Sequence, residues 1–466
     1  MFNSSIYIQR RKTLKKKVGS GLILFPGNYE ATMNYGANTY AFRQDSAFLY
    51  YWGIDLPGFA AVLDVDENKE IIFGNDFEMD DIVWMGPQPK VKDLAKQAGV
   101  KHTASLSELI GVVNTAIKNK REVHFLPQYR HKNISWLSEL TGINQNAVNN
   151  FSSIKLIKSV IEQRSIKAKE EIEEIEFAMD IAYEMQTYAM RFTRPDIYER
   201  DIAGAIEGIA LSMGRGLSFT SIFSVHGETL HNHSYNNLMK KGQLVVNDSG
   251  AESLLHYASD ITRTFPVDGK FTNKQKEIYE IVLKAQMDSI KAIKPGKKYK
   301  DVHLHAAKVI AKGLKEAGIM KGDVNQAVKE GAHALFFPHG LGHMMGLDVH
   351  DLEGLGEDLV GYDKKNQRSN QFGLAYLRLA KPLVPGFVLT VEPGIYFIPQ
   401  LIDMWKAENK FSQFINYKKL EEYRHFGGIR IEDDILVEKN GHRVLGQKEI
   451  PKKVADVEEM CNSIKI

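Results

Sequence analysis

The sequence predicts a mixed α/β (α+β) chain in two domains, 1–158 and 159–466, with three observations leading there. Its 466 residues exceed what one ordinary hydrophobic core organises, so two domains are the default. Up to about residue 155, short apolar runs such as 21–25 and 60–65 alternate with helical patterns, as around 106–117. A faint internal repeat follows: Arg194-Pro195, Asp201-Ile202 and a helical run to Gly216 are echoed, 100 residues on, by Lys294-Pro295, Asp301-Val302 and a helical run to Gly318.

Taken in order, residues 40–53 are aromatic-rich around the charged centre Arg43-Gln44-Asp45. Core aromatics beside a surface turn is the expected reading, ahead of a binding role. Residues 166–190 carry apolar side chains at 172, 175, 178, 179 and 182, the spacing of one helix face. The acids among them, Glu170, Glu171, Glu173, Glu174 and Glu176, are expected to form a solvated face and no metal site. Each repeat copy then places one helix before its proline and one after. Two similar halves would put a site at a pseudo-two-fold interface, with ligands drawn from both.

Lysine and arginine number 60 against 58 acids, a formal charge of +2, so no global field points to nucleic acid or a membrane surface. Small molecules or peptides are the expected partners. The single cysteine, Cys461, excludes an intramolecular disulfide framework and fits a reducing, cytoplasmic setting. The basic start, Arg10-Arg11-Lys12 and Lys15-Lys16-Lys17, precedes an apolar run of only 22–25 before Pro26, too short for a signal peptide. Nowhere does an apolar stretch reach the length of a membrane helix.

The chemistry concentrates after the repeat. His339-Gly340-Leu341-Gly342-His343 runs on through Met344 to His350-Asp351, three imidazoles in a glycine-broken stretch. Asp248 and Asp260 stand upstream, Glu392 and Glu432 downstream. Residues 242–248 and 261–267 read as a hairpin that sets Asp248 and Asp260 side by side. Arg430 and Glu432, two apart on a strand-like segment, share a face while Ile429 and Ile431 pack behind. An isolated acid or histidine is more often a surface or capping group; the joint occurrence is what points to a site. Four convergent carboxylates need cations to be tolerable, and two divalent ions would supply them. Carboxylate-dominated ligation favours Mn²⁺ over Zn²⁺.

Asn247-Asp248-Ser249-Gly250-Ala251, residues 259–267, 339–351 and 389–396, and Gly428-Ile429-Arg430-Ile431-Glu432-Asp433-Asp434 together resemble the metallopeptidase family with the pita-bread fold. The branch resembled is that of Xaa-Pro aminopeptidase (aminopeptidase P) and prolidase, whose creatinase-like N-terminal domain Phe42-Arg43-Gln44-Asp45-Ser46 is also similar to. The resemblance implies that Asp248, Asp260, His343, Glu392 and Glu432 bind two metal ions, most often manganese, with Asp260 and Glu432 bridging. It further implies that Glu392 handles the proton of the attacking water. His231, ahead of its neighbour His233, would lie near the scissile bond. His350 would stabilise the tetrahedral intermediate, His339 would line the substrate pocket, and Arg430 would support a ligand carboxylate.

Substrates would be proline-containing di- or oligopeptides. An Xaa-Pro bond offers no N–H to proteases that grip substrate as an added strand, which is why a dedicated enzyme exists. Arg378 resembles an arginine that receives the C-terminal carboxylate in prolidases, and the segment 397–426 also looks prolidase-like, which places the dipeptidase slightly ahead of the aminopeptidase. A non-catalytic peptide-binding module on the same fold would lack the ligand set. The branch is usually oligomeric, so a homo-oligomer, dimer or tetramer, is expected.

Overall fold

The computed structural model describes residues 1–463. The chain divides into two compact units between Arg164 and Ser165. The boundary expected after residue 158 falls inside the helix Ile154–Ser165, all of which but its last residue belongs to the first unit.

The first unit is built on a mixed five-stranded sheet in the order His102–Ala104, Lys69–Phe73, Ala60–Asp64, Leu22–Pro26, Val123–His124. Its central strands Leu22–Pro26 and Ala60–Asp64 pair antiparallel and are buried at every residue, as strands covered on both faces must be. Leu22, Leu24, Val62 and Phe73 pack with Leu109, Val113 and Ala116 from the helix Leu109–Lys118 and Leu137 and Leu140 from His131–Thr141. Phe25 meets Tyr51 and Trp52, with ring centroids 5.2 and 5.9 Å apart.

The aromatic stretch resolves as the core reading predicts. Asp45 caps the helix Ser46–Trp52 by accepting from Phe48 N, Gly53 closes it with φ 68°, and every residue between is buried. The basic start is equally structural: Arg11 is buried and donates to Glu70, to Tyr51 O and to Ala98 O. Among the described residues, no helix is long and apolar enough to cross a membrane.

The second unit realises the repeat. The helices Lys169–Phe192 and Glu199–Met213 form the first pair, Asn273–Ala292 and Tyr299–Glu316 the second. The turn inside each pair uses a left-handed residue at the same repeat position, Asp196 (φ 67°) and Gly296 (φ 78°). Aspartate and glycine are among the few residues that enter this region readily. Buried glutamines recur at the same offset, where Gln186 donates to Ile261 O and Gln286 to Asp433. Each thereby ties its long helix to a strand segment that carries site residues.

The antiparallel strands Ile222–Ser224, Leu244–Ser249 and Ile261–Pro266 follow the first pair, and Val388–Val391, Asp433–Glu438 and Gly441–Val444 the second. A two-stranded ladder, Gly394–Tyr396 with Gly428–Arg430, sits beside them in sequence, and the connection between its strands carries the helix Pro399–Ala407.

One expectation is corrected. The acidic run on Lys169–Phe192 is only partly a solvated face: Glu171 is buried and accepts from Tyr257 Oη at 3.0 Å, Glu174 accepts from Ser253, and Glu176 from Arg443 and Gly446 N. Polar donors on neighbouring segments reach the helix, so alternate acids serve as anchors.

Candidate metal centre

The hairpin holds Asp248 on the strand Leu244–Ser249, opposite Thr262. Asp260 lies just before the partner strand, two residues from Thr262, so the two aspartates are diagonal neighbours on one face and not directly opposed. Between them Thr262 Oγ1 donates to Glu432 Oε2 at 2.6 Å, and Glu432 N donates to Thr262 O at 3.0 Å. This threonine joins the two halves.

From the second half, the segment carrying His343 pairs with the strand Val388–Val391: Thr390 N donates to His343 O, and His343 N to Thr390 Oγ1. Glu392 follows directly, its N–H donating to Leu341 O. Gly342 must be glycine here, because a Cβ would stand 2.1 Å from Thr390 O. Gly342→Ala is therefore expected to lower stability by about 1–3 kcal/mol. It should also weaken metal binding, as read by denaturant unfolding and metal titration; unchanged values in both would show that the segment can yield.

Arg430 and Glu432 both line the cavity while Ile429 and Ile431 are buried behind, as alternation requires. Arg430 donates to Asp248 Oδ2 at 2.6 Å, to Tyr396 Oη at 2.9 Å and to Thr262 Oγ1 at 3.2 Å. Burial works against this guanidinium, but Tyr396, Asp248 and Glu392 together hold it well above its usual value.

His343 Nδ1 faces the carbonyl of Met344 at 3.1 Å, and since a carbonyl can only accept, that nitrogen carries a proton. In the neutral ring Nε2 then carries the lone pair, and it lies 3.3 Å from Asp260 Oδ2 and 3.7 Å from Glu392 Oε1. Oxygen donors also lack protein partners, Oδ1 of Asp248 and of Asp260 both being buried without a hydrogen bond. Burial, then the Asp248 charge, pushes Asp260 well above the carboxylate range. Burial with Asp260 and Glu392 does the same to Glu432, and burial raises Glu392 to about 7. Asp260, His343 and Glu432 present ligand atoms within 4.8 Å of one another. Orphaned oxygens, an imidazole lone pair and mutually repelling carboxylates are what a divalent cation completes, so these residues fit one.

The centre forms one wall of a cavity of ≈ 650 Å³ lined also by His231, His233, His339, His350 and Arg378. Every residue singled out in the sequence thus reaches the same cavity, and both candidates 231 and 233 do so. His339 is fixed by Tyr396 Oη at 2.9 Å and kept neutral, near 3, by burial and then by Arg430. His350 packs edge-on against His343 with centroids 4.3 Å apart, and burial with His343 and Arg378 depresses its pKa strongly. Burial and then Arg430 lower His231.

Sequence reasoning missed several contributors. Phe219, Leu230, Phe372, Tyr376, Ile398 and Leu401 give the cavity an apolar side. Asp434 accepts from Asp260 N at 3.0 Å and holds that ligand's backbone. Its position within the 428–434 motif was the one available signal.

A buried set of hard oxygen donors with one imidazole, opening on a cavity of peptide dimensions, defines a metal-dependent hydrolase. Comparison of the sequence with protein families then supplies the lineage: residues 173–439 match metallopeptidase family M24 and residues 7–125 the aminopeptidase P N-terminal domain, so the chain belongs to family M24. It is 32% identical over 462 residues to the Xaa-Pro dipeptidase of Homo sapiens, covering 96% of this chain and 90% of that one. It is 33% identical over 431 residues to a probable Xaa-Pro aminopeptidase of Sordaria macrospora, covering 91% and 88%. Among solved structures it resembles aminopeptidase P from E. coli with the inhibitor Pro-Leu, at TM-score 0.82 and 29% identity over 99% of both chains.

Proposed function

We propose that the protein is an exopeptidase that hydrolyses the Xaa-Pro bond at the N-terminus of proline-containing di- or oligopeptides. The observation that carries this reading is the convergence of Asp248, Asp260, His343, Glu392 and Glu432 on one cavity that apolar side chains also line. Relatives named as Xaa-Pro dipeptidase and as Xaa-Pro aminopeptidase both support it.

In this reading Asp248, Asp260, His343, Glu392 and Glu432 would hold two divalent ions, manganese. Such ions supply a water of lowered pKa and polarise the carbonyl under attack. Glu392, 3.7 Å from His343 and already biased toward protonation by burial, takes the proton of the attacking water and returns it to the leaving proline nitrogen. His350 and His231, whose pKa values burial lowers, donate N–H hydrogen bonds to the carbonyl oxygen as it gains charge. Arg430 anchors Asp248, and Tyr396 steadies His339 against the substrate. The apolar surface that Phe219, Phe372, Tyr376 and Leu401 give the cavity suits a proline ring.

Arg378 lines the cavity, and in the dipeptidase reading it would receive the substrate's C-terminal carboxylate; the alternative, an aminopeptidase P acting on longer peptides, shares every other feature. We further assign the protein to the cytoplasm, consistent with its lone Cys461, and to a homo-oligomer, as dimer or tetramer. The test is hydrolysis by manganese-loaded protein of Xaa-Pro dipeptides, Xaa-Pro-Xaa tripeptides and longer peptides beside matched Xaa-Ala controls. Release of the first residue confined to proline-containing substrates is expected, whereas cleavage of the controls at equal rates, or no turnover with metal demonstrably bound, would refute the reading.

A further inference from the structure

Arg378 does not present an open guanidinium to the cavity. Its Nη1 donates to Oε2 of Glu353, whose side chain is 14% exposed against 34% for the arginine. The same oxygen lies 3.6 Å from His350 Nδ1, so one carboxylate stands between the two. Glu353 follows Leu352, a buried residue held at φ 69°, and begins the turn Glu353–Leu355. Leucine rarely adopts that conformation, and it persists only where the surrounding structure dictates it. The backbone that presents Glu353 is thus fixed by its surroundings, and its side chain is largely enclosed.

A guanidinium recognises a carboxylate through two parallel N–H donors and its charge. Glu353 occupies one donor and compensates the charge, inside a partly buried site where screening by water is weak. A peptide ending at proline would bring a second carboxylate to an arginine that already has one. A longer peptide would bring a neutral amide there and would lose nothing to this competition. We propose that Glu353 is a specificity-determining residue, which by holding Arg378 in an internal ion pair weakens its grip on a substrate carboxylate and shifts preference from Xaa-Pro dipeptides toward longer Xaa-Pro peptides. This rests on the Xaa-Pro reading above. It makes the balance between the two activities a property of the pair and not of Arg378 alone.

Glu353 also faces His350, but that contact acts on every substrate alike, so a ratio between substrates isolates the effect on Arg378. The experiment measures kcat/KM of the metal-loaded protein for Ala-Pro, Ala-Pro amide and Ala-Pro-Ala, in wild type, Glu353→Gln, Arg378→Ala and the double variant. Glu353→Gln is expected to raise the ratio of dipeptide to amide about ten-fold, chiefly through KM, the scale of one hydrogen bond to a charged group. Glu353→Asp, whose carboxylate is drawn back from the guanidinium, should move the ratio in the same direction by less. In the Arg378→Ala background the shift should vanish. A ratio that stays within two-fold, falls, or rises equally without Arg378 overturns the inference. An active wild type with an unmoved ratio sinks this inference alone; a wild type inactive on all three substrates sinks the Xaa-Pro reading and the inference with it.

Discussion

Glu392→Gln is expected to fold as the wild type does and to lose about 10²–10⁴-fold in kcat, the range for removing a positioned proton-transfer group. The substitution keeps the side chain's size and its distance from His343 Nε2, 3.7 Å in the wild type, but an amide cannot take up a proton. In the metal-free site burial raises this carboxyl to about 7. The fall should appear in kcat with KM within a few-fold, because the apolar wall and Arg378 are untouched. Steady-state kinetics on an Xaa-Pro peptide, with metal content measured on the same sample, decides between roles. A ten-fold loss or less at full metal occupancy would remove Glu392 from proton transfer, while loss of one metal equivalent in proportion to activity would reduce it to a ligand.

What the sequence disclosed and what it withheld follow from the range of the interactions. Arg430 and Glu432 were legible because a period of two puts them on one face whatever the rest of the chain does. The helix pairs were legible because proline punctuates them, and the echo runs deeper than the motif, into the left-handed Asp196 and Gly296 and the buried Gln186 and Gln286. Asp260 was placed beside Asp248, and only their diagonal offset was not legible, since register depends on the turn between the strands. Thr262 and Thr390 look like ordinary strand threonines, yet one bonds Glu432 and the other His343 from across the unit. Glu353 carries no periodic signal at all. Its tie to Arg378 spans 25 positions of turns and loops, where neither helix nor strand spacing predicts which side chains meet. The acidic run at 170–176 misled for the complementary reason: charge suggests solvent, and only tertiary partners such as Tyr257 and Arg443 show which acids face inward.

Removing the metals should reverse the sign of a single substitution, and this is the sharpest consequence of the crowded carboxylates. Without cations, burial and then the neighbouring Asp260 and Glu392 raise the pKa of Glu432, whose side chain accepts from Thr262. Glu432→Gln leaves an acceptor for that threonine while deleting the charge. The metal-free variant is therefore expected to be more stable than the metal-free wild type by about 1–3 kcal/mol, the ordinary scale for relieving an unsatisfied buried group. With manganese the order should invert, because the wild type gains RT ln(1 + [L]/Kd) per bound ion, about 2.7 kcal/mol when free metal exceeds Kd a hundred-fold, and the variant gains less. Thermal unfolding of chelated and manganese-reloaded protein, wild type beside variant, gives four melting temperatures, and the prediction is that the two curves exchange order. If the chelated variant melts below the chelated wild type, repulsion among these carboxylates is not what the cations relieve. If the order is the expected one in chelator and fails to invert on reloading, Glu432 does not hold the ion, and the shared-ligand role passes to the residues that remain around Asp260 and His343.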